Sequence, residues 1–427
     1  MSHSAGILGL RRFAEQVDRP ALGAILALLL LSLVTLYSVT RTPVLDLGQR
    51  GLDVGEGVFW RQIVWIVIGL GALYVGFHLP FRLLEATAWL QYAVVLLLLI
   101  AVLLVGGSGV ERWIRLGPVQ FQPSEFAKIA VVFVLARYLA RSAGNGNRLR
   151  NVILPLCIVL PPVGLILRQP DLGTSLVFFA ILGPLLYWRG LKLWHMLLLV
   201  SPGISFLLHL YFRTQHATLW PWLVFVVLVF GVTLWRRLYL LENICMLVVN
   251  ASVHVLEPML WERLRQYQQQ RIVSFFDPSI DPMGQGYHVA QSKIAVGAGG
   301  FLGQGFMEGT QKELAFLPAR HTDFIFSVVG EEFGFVGAVL VVSLFALLVV
   351  RGIGFAARAR NGFVRYAAFG ITSYVMFQVT QNVGMTVGLL PVTGIPLPLV
   401  SYGGSSLLVT LFLMGVLLNL GARWREY

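Results

Sequence analysis

The chain has 427 residues, of which 57% are hydrophobic and 12% are charged, and its formal net charge is +12. Soluble domains carry about 25% charged residues, and the apolar residues here occur in runs of about 20, the length of a membrane-spanning helix. The composition therefore excludes a set of soluble domains. The basic residues lie at the ends of apolar runs, which indicates orientation in a membrane and argues against nucleic-acid binding.

The apolar runs predict twelve membrane helices, so we expect an all-α polytopic bundle of 10–12 helices. The run at 238–256 is the least regular, because it carries Glu242, Asn243 and His254. Cys157 and Cys245 lie in apolar runs and are interpreted as small buried residues, with no disulfide framework or metal cluster. The predicted helices lie near 21–40, 58–77, 86–106, 123–140, 152–167, 172–188, 194–212, 219–235, 238–256, 322–350, 366–387 and 404–421.

Alternate loops between these helices differ in basic content, and the loops on the side of the two termini hold the larger share of Arg and Lys. The positive-inside rule therefore predicts that both termini are cytoplasmic. Three polar or long stretches then face outward, at 107–122, 257–321 and 389–403. A long loop such as 257–321, which precedes the last three helices, is usually functional.

Prolines and paired acids mark two of the outward stretches. Asp277 and Asp281 each precede a proline, and the functional interpretation is a carboxylate held rigidly as a general base. The alternative is a surface loop with turn-forming residues. In 389–403 the prolines cannot continue a helix, so at membrane depth this backbone must be buried or line a cavity.

Charged residues also lie inside predicted helices. Glu125 and Lys128 are three positions apart and share a helix face, which fits a structural ion pair or a substrate cavity. Glu331 and Glu332 fit a polar helix–helix contact or a catalytic role. Trp113 is either an interfacial anchor or part of a cradle for a sugar or a lipid headgroup. The glycines at 297–309 are weak evidence for phosphate binding.

At these residues the sequence resembles the SEDS family of bacterial cell-wall synthesis, which comprises RodA, FtsW and SpoVE. The most specific match is the run from Asn382 to Ser406, NVGMTVGLLPVTGIPLPLVSYGGSS. Further matches in the same order are Arg112-Trp113 with Phe121-Gln-Pro-Ser-Glu125 and Lys128, Gln169-Pro-Asp-Leu-Gly-Thr174, Asp281-Pro-Met-Gly-Gln-Gly-Tyr-His288 and Leu317-Pro-Ala-Arg-His-Thr-Asp-Phe-Ile-Phe326. Within the family, Tyr287-His288 and Gly309-Thr310-Gln311 are most similar to RodA, the member of cell elongation.

The resemblance implies one integral membrane domain over 1–427 with peptidoglycan glycosyltransferase activity. Such an enzyme polymerises lipid II into glycan strands at the outer face of the bacterial cytoplasmic (inner) membrane. The implied partners are a class B penicillin-binding protein and other membrane proteins of the elongation complex. A divalent metal, Mg²⁺ or Mn²⁺, is also implied, but its ligands are not identifiable in the sequence.

The resemblance also assigns roles to individual residues. Asp281 takes the position of the essential aspartate and is the expected general base, with Asp277 as its competitor. Glu125 and Lys128 take the positions of the family's cavity residues and complete the expected catalytic set. The expected substrate-binding residues are Arg112, Trp113, Arg115, Gln122, Ser124, His288, Lys293, Arg320, His321 and Ser401.

One departure from the family pattern concerns the region 213–257. RodA proteins typically have ten helices, and this region reads as an insert of two extra apolar segments. If the insert crosses the membrane twice, Asp281 stays on the outer side, whereas a single extra crossing would place Asp281 in the cytoplasm. Two other functions stay open at this point: a transporter that flips lipid II across the bilayer, and a non-catalytic membrane scaffold for the penicillin-binding protein.

Overall fold

A computed structural model describes the chain over residues 16–41, 57–105, 112–116, 119–142, 150–215, 217–235, 240–264, 266–276, 285–309 and 320–423. The chain divides into two compact units. Unit 1 comprises residues Met1–Ala143, Pro155–Leu185 and His288–Tyr427. Unit 2 comprises residues Gly144–Leu154 and Leu186–Tyr287.

All twelve predicted segments form helices, and two further helices lie inside the predicted 257–321 loop. The helix predicted at 322–350 runs eight residues further, to Arg358, beyond the end of its apolar run. The helices of the described part are α1 (Arg19–Arg41), α2 (Gly57–His78), α3 (Phe81–Val105), α4 (Pro123–Arg141), α5 (Arg150–Arg168), α6 (Leu172–Trp188), α7 (Leu193–Thr214), α8 (Trp220–Trp235), α9 (Leu240–Arg263), α10 (Gln266–Phe276), α11 (Gln285–Ala298), α12 (Ile325–Arg358), α13 (Gly362–Thr386) and α14 (Gly404–Ala422).

Eight of these helices are long and apolar enough to cross a membrane, and α6 and α8 are shorter apolar helices. The predicted class, an all-α polytopic membrane protein, is confirmed. Cys157 and Cys245 were wrongly interpreted as buried, because both are exposed on helices whose apolar surfaces face outward.

A short hairpin was not predicted in the stretch 107–122. Strand β1 (Ile114–Leu116) pairs antiparallel with strand β2 (Val119–Phe121), with Ile114 opposite Phe121. The sequence carries the signal for it, because apolar and polar residues alternate on both sides of Gly117-Pro118. The hairpin leads directly into α4.

In unit 1, α14 packs closely along α2 through small residues. A Cβ at Gly76 would collide with the carbonyl oxygen of Phe412, and a Cβ at Gly415 would collide with that of Leu73. Lipid tails are as apolar as leucine side chains, so close van der Waals packing of this kind is a main force between membrane helices. At the helix ends, the Asn419 amide nitrogen donates a hydrogen bond to Leu79 O at 2.6 Å.

The glycine-rich turn 299–309 packs against α12, which kinks at Gly334 (φ 62°, ψ −159°). A Cβ at Gly299 would collide with Gly330 O, and a Cβ at Gly303 would collide with Glu332 O. These glycines permit close backbone approach to the helix. Close packing against α12 explains the glycines at 299 and 303.

In unit 2, polar side chains join α7, α8 and α9. Glu257 is fully buried, and its Oε2 accepts from Arg213 Nη1 at 3.0 Å and lies 3.1 Å from His209 Nδ1. The other ring nitrogen of His209 lies 2.9 Å from His254 Nδ1. The Trp222 indole donates to Ser205 Oγ at 2.8 Å. Partners on neighbouring helices thus explain how the irregular segment 238–256 forms a helix in an apolar setting.

Candidate active site

The start of α4 places two charged side chains inside unit 1. Gln122 adopts an extended conformation (φ −107°, ψ 105°), and Pro123 occupies the first turn, where it needs no hydrogen-bond partner. Glu125 lies in the same turn, where the helix dipole favours a negative charge. Lys128 follows one turn later on the same face.

Glu125 and Lys128 form a buried ion pair, with Lys128 Nζ 2.6 Å from Glu125 Oε1. Only 2% of the Lys128 side chain and 5% of the Glu125 side chain are exposed. Within the described part of the chain, Glu125 Oε2 and Ser124 Oγ are buried and have no hydrogen-bond partner. A buried polar atom without a partner costs about 1–3 kcal/mol, so this end of α4 is suited to hold water or a polar group.

Residues of α13 and α14 complete this cluster, and the sequence analysis missed them. Lys128 Nζ lies 5.6 Å from the centre of the Tyr374 ring, and Tyr374 Oη lies 3.2 Å from Thr410 Oγ1. One turn along α13, Gln378 is fully buried and lies next to the Tyr374 hydroxyl. Buried polar residues at i and i+4 within a spanning helix were the available signal.

Arg112 holds the loop that precedes α6. Its Nε donates to Gln169 O at 3.0 Å and its Nη2 to Pro170 O at 2.5 Å, while Nη1 lies 3.4 Å from Asp171 Oδ2. Asp171 also accepts from the Thr174 backbone N–H at 3.1 Å and so caps α6.

The segment 389–403 is non-helical and largely buried, as its prolines predict. Asn382 anchors it, because its amide nitrogen donates to Ile395 O at 2.8 Å and to Asp323 O at 2.9 Å. Leu399 adopts a left-handed φ of 64°, a strained conformation that costs about 1–3 kcal/mol. A Cβ at Gly173 would collide with Thr393 O, so the start of α6 contacts this segment closely.

Ser401 is buried within this segment. Its hydroxyl donates to Thr322 O at 2.6 Å and accepts from the Leu397 N–H at 2.8 Å. The Gln62 amide lies 3.5 Å from Ser401 O, and Ser32 Oγ donates to Val400 O at 2.7 Å. These contacts fix the backbone path, while the predicted substrate contact of Ser401 stays a prediction.

Arg320 and His321 lie just before α12. Arg320 is buried, and the His321 carbonyl accepts from the Tyr402 N–H at 2.9 Å. Burial lowers the pKa of the His321 imidazole, and the nearby positive charge of Arg320 lowers it further. Its Nδ1 has no hydrogen-bond partner in the described part of the chain. His321 is therefore neutral at neutral pH and can bind a polar group.

Three of the remaining predicted site residues have described side chains, and three lie wholly or partly outside the described part of the chain. His288 on α11 lies near Phe324, with ring centres 6.3 Å apart, and the exposed Lys293 extends over Gly388. Trp113 is 41% exposed, in accord with an interfacial position. The side chain of Arg115 lies outside the described part. Asp281 and Asp277 also lie outside the described residues, so their predicted roles stay predictions.

The described residues contain no group of three or more His, Cys, Asp or Glu side chains that could hold a metal ion. Glu125 Oε2 is a single oxygen donor, and Mg²⁺ prefers several oxygen ligands in octahedral geometry. The described part of the site thus does not supply a metal-ligand set. The predicted divalent metal stays a prediction.

The helices and this cluster define a class of protein, a polytopic membrane protein with a buried ion pair and a largely buried non-helical segment. A family model described as "Cell cycle protein" (FTSW_RODA_SPOVE) matches residues 21–221 and 214–426. The chain belongs to this family, as its motifs predict. The two matched stretches meet at 214–221, near the start of the region 213–257.

Curated relatives cover nearly the whole chain. The peptidoglycan glycosyltransferase MrdB of Escherichia coli (strain K12) is 37% identical over 407 residues, which cover 95% of this chain and 93% of MrdB. The peptidoglycan glycosyltransferase RodA of Treponema pallidum is 33% identical, with 92% of this chain and 97% of the relative covered. A probable peptidoglycan glycosyltransferase FtsW of Trichlorobacter lovleyi is also 33% identical, with 96% and 94% covered.

Two solved structures share the fold over similar lengths. A chain from the structure described as "Structural coordination of polymerization and crosslinking by a peptidoglycan synthase complex" matches with a TM-score of 0.66 at 30% identity, covering 96% of this chain and 98% of that one. The rod shape determining protein RodA of Thermus thermophilus matches with a TM-score of 0.59 at 27% identity, covering 96% and 97%.

Proposed function

We propose that this chain polymerises lipid II into glycan strands at the outer face of the bacterial cytoplasmic membrane, with Asp281 as the general base. The enzyme class predicted from the sequence, a peptidoglycan glycosyltransferase, is confirmed by relatives of that name that are 33% and 37% identical over nearly the full length. The main structural support for the proposal is the buried ion pair of Glu125 and Lys128, which lies next to Ser124 Oγ and Glu125 Oε2, two buried atoms without hydrogen-bond partners in the described part of the chain.

The proposed reaction needs one base and no acid. Asp281 takes the proton from the 4-hydroxyl of the acceptor GlcNAc, and the hydroxyl oxygen forms a bond to the anomeric carbon of the donor MurNAc with inversion. The bond between that carbon and the phosphate oxygen breaks, and undecaprenyl pyrophosphate leaves with the electron pair. A pyrophosphate is stable as an anion, so its departure requires charge stabilisation rather than protonation.

Two cations of the cluster in unit 1 lie in ion pairs, Lys128 with Glu125 and Arg112 with Asp171. A paired cation supplies less attraction to a leaving anion than a free one does. We therefore propose that the Lys128 ammonium moves away from Glu125 during the reaction, toward the negative charge that develops on the leaving pyrophosphate. Glu125 holds that ammonium in place in a low-dielectric setting until then.

The setting of the reaction rests on the membrane fold and on the chemistry of the substrate. Lipid II carries its disaccharide on a prenyl anchor, so the enzyme must bind it at a membrane surface. We infer that the side is extracytoplasmic, because the positive-inside rule places both termini in the cytoplasm. The partner we propose is a class B penicillin-binding protein. The similar chain from a peptidoglycan synthase complex that coordinates polymerization and crosslinking supports this choice.

Polymerisation of labelled lipid II by the purified protein tests this proposal. The assay compares the wild type with Asp281→Ala, with and without the penicillin-binding protein and with and without Mg²⁺ or Mn²⁺. Polymer from the wild type and none from an equally stable Asp281→Ala variant is the expected result. Asp277→Ala is the matched control and retains activity.

Equal polymerisation by the wild type and Asp281→Ala would rule out Asp281 as the base, and loss of activity in Asp277→Ala alone would transfer the role to Asp277. If the wild type makes no polymer with the partner and metal present, the flippase and scaffold alternatives replace the enzyme. Undiminished activity after chelation with EDTA would exclude the metal.

A further inference from the structure

We infer that α11 and the glycine-rich turn after it form a re-entrant hairpin, which inserts Phe301 and Leu302 among the lipid chains of the bilayer. The sequence analysis places this segment within the outward-facing stretch 257–321. The inference is independent of the catalytic roles proposed above.

The contacts with α12 show that the segment descends along this helix and then returns. On the way down, Ser292 Oγ lies 2.6 Å from Ser327 Oγ, Val296 packs at Gly330, and Gly300 O accepts from the Phe335 N–H at 2.9 Å. The rings of Phe301 and Phe335 stack with their centres 5.7 Å apart. The tip of the hairpin therefore lies at the level of Phe335.

The returning arm retraces the same stretch of α12 in the opposite direction. The Gln304 N–H donates to Glu331 O at 2.9 Å, and the Gly305 N–H donates to Glu332 O at 3.2 Å. On the descending side, the Val336 N–H donates to Phe301 O at 3.2 Å. Non-helical backbone is tolerated at membrane depth only when protein groups satisfy it. Because α12 is kinked at Gly334, backbone N–H and C=O groups near the kink can form hydrogen bonds with the hairpin instead of within the helix.

The depth of the hairpin tip in the bilayer can be estimated by counting residues from the opposite end of α12. Arg351 lies 3.5 Å from Asp18, and this partly exposed ion pair marks the polar boundary on that side. A helix crosses the hydrocarbon core, about 30 Å thick, in roughly 20 residues. Counting back from Val350, the other boundary falls near Glu331. Phe335 and the hairpin tip thus lie on the hydrocarbon side of that boundary, and any tilt of the helix places them deeper.

The exposed side chains at the tip fit acyl chains. Phe301 is 68% exposed and Leu302 is 78% exposed. They extend an apolar face of α12 that continues through the exposed Phe335, Val336 and Leu340. That face belongs to a membrane-spanning helix and contacts lipid in a bilayer. Continuity with it identifies lipid hydrocarbon as the occupant.

Spin labels in nanodiscs test this inference in the full-length protein. The two cysteines are exposed, so Cys157→Ser and Cys245→Ser provide a background for Leu302→Cys, labelled and measured for collision with oxygen and with a water-soluble nickel complex. Oxygen concentrates in hydrocarbon and the nickel complex in water. We expect an oxygen-to-nickel ratio above one for the label at 302, as for a label at Leu340→Cys. The exposed, polar Glu308→Cys on the returning arm is the aqueous control.

A ratio below one at position 302, like that of the Glu308→Cys label, would overturn the inference. So would a label that neither reagent reaches, because it would mean that protein covers the tip. Phe301→Cys, also exposed at the tip, provides a second label if Leu302→Cys does not fold.

Discussion

Lys128 on α4 points its ammonium at the ring of Tyr374 on α13, with 5.6 Å between Nζ and the ring centre, while it donates to Glu125 within its own helix. The ion pair is therefore enclosed by two helices rather than open to one side. A cation at this distance from an aromatic face is stabilised by about 0.5–2 kcal/mol. We therefore expect that removing the Lys128 charge, the Tyr374 ring or the Tyr374 hydroxyl affects stability and activity differently.

Lys128→Met should lower both stability and polymerisation. The substitution leaves the Glu125 carboxylate buried without its counter-charge, and in soluble proteins the loss of one partner of a buried pair costs about 3–5 kcal/mol. We expect a clear fall in the melting temperature in detergent and loss of glycan synthesis. The double variant Glu125→Gln/Lys128→Met should recover the melting temperature but not the activity. Wild-type polymerisation by the double variant would show that the pair is structural only.

Tyr374→Phe and Tyr374→Leu should differ. Phenylalanine keeps the ring over Lys128 and loses only the hydrogen bonds of the hydroxyl, at a cost of about 0.5–1.5 kcal/mol for each. Leucine also removes the interaction of the ring with the ammonium. We expect near-normal polymerisation for Tyr374→Phe and a distinct decrease for Tyr374→Leu, measured as initial rates at saturating lipid II. Equal rates for the two variants would contradict a role for the ring.

Asn382→Asp should disrupt the 389–403 segment without any change in side-chain size. The asparagine amide nitrogen donates to two carbonyls, of Asp323 and Ile395. A carboxylate oxygen there would face both acceptors and leave them without a donor, at a cost of about 1–3 kcal/mol for each. We expect reduced melting temperature and increased protease cleavage of 389–403. Asn361→Asp, which keeps the acceptor that caps α13, should be tolerated.

Gly334→Ala should destabilise α12, whereas Gly354→Ala in the same helix should not. Gly334 has a φ of 62°, and a Cβ there would collide with the backbone of Gly303 and Leu302. At Gly354 nothing lies within 4 Å of an added Cβ, and alanine in a helix gains about 0.5–1 kcal/mol over glycine. Thermal unfolding followed by tryptophan fluorescence separates the two. A stable Gly334→Ala variant would show that the kink is dispensable.

The lowered pKa of His321 predicts loss of stability in acid. Burial and the Arg320 charge keep the folded imidazole neutral, whereas the unfolded residue binds a proton below its ordinary pKa of 6.5. The unfolded state therefore binds more protons, and stability falls as the pH falls from about 7 to about 5. His321→Gln, which does not titrate, should show a smaller fall in melting temperature over the same range. Parallel curves for the two proteins would contradict the prediction.

Much of the fold follows from the sequence because apolar runs have the length of a bilayer and charges mark their ends. The buried pair of Glu125 and Lys128 also follows, since spacing alone puts both on one helix face. Tyr374 could not be assigned from the sequence, because its contact with Lys128 depends on how α13 packs on α4. The hairpin at 299–309 was interpreted as a loop, because its insertion depends on the kink at Gly334 and on hydrogen bonds between segments.

The close contact of α2 with α14 has a consequence for biogenesis. Asn419 and Leu79 are 340 positions apart in the chain, so α2 enters the bilayer long before its main packing partner is synthesised. Until α14 is inserted, the glycine face of α2 contacts lipid or the insertion machinery. A chain that stops before α14 leaves that face without its packing partner. The tight fit of these two helices therefore makes the stability of an early segment depend on the synthesis of a much later one.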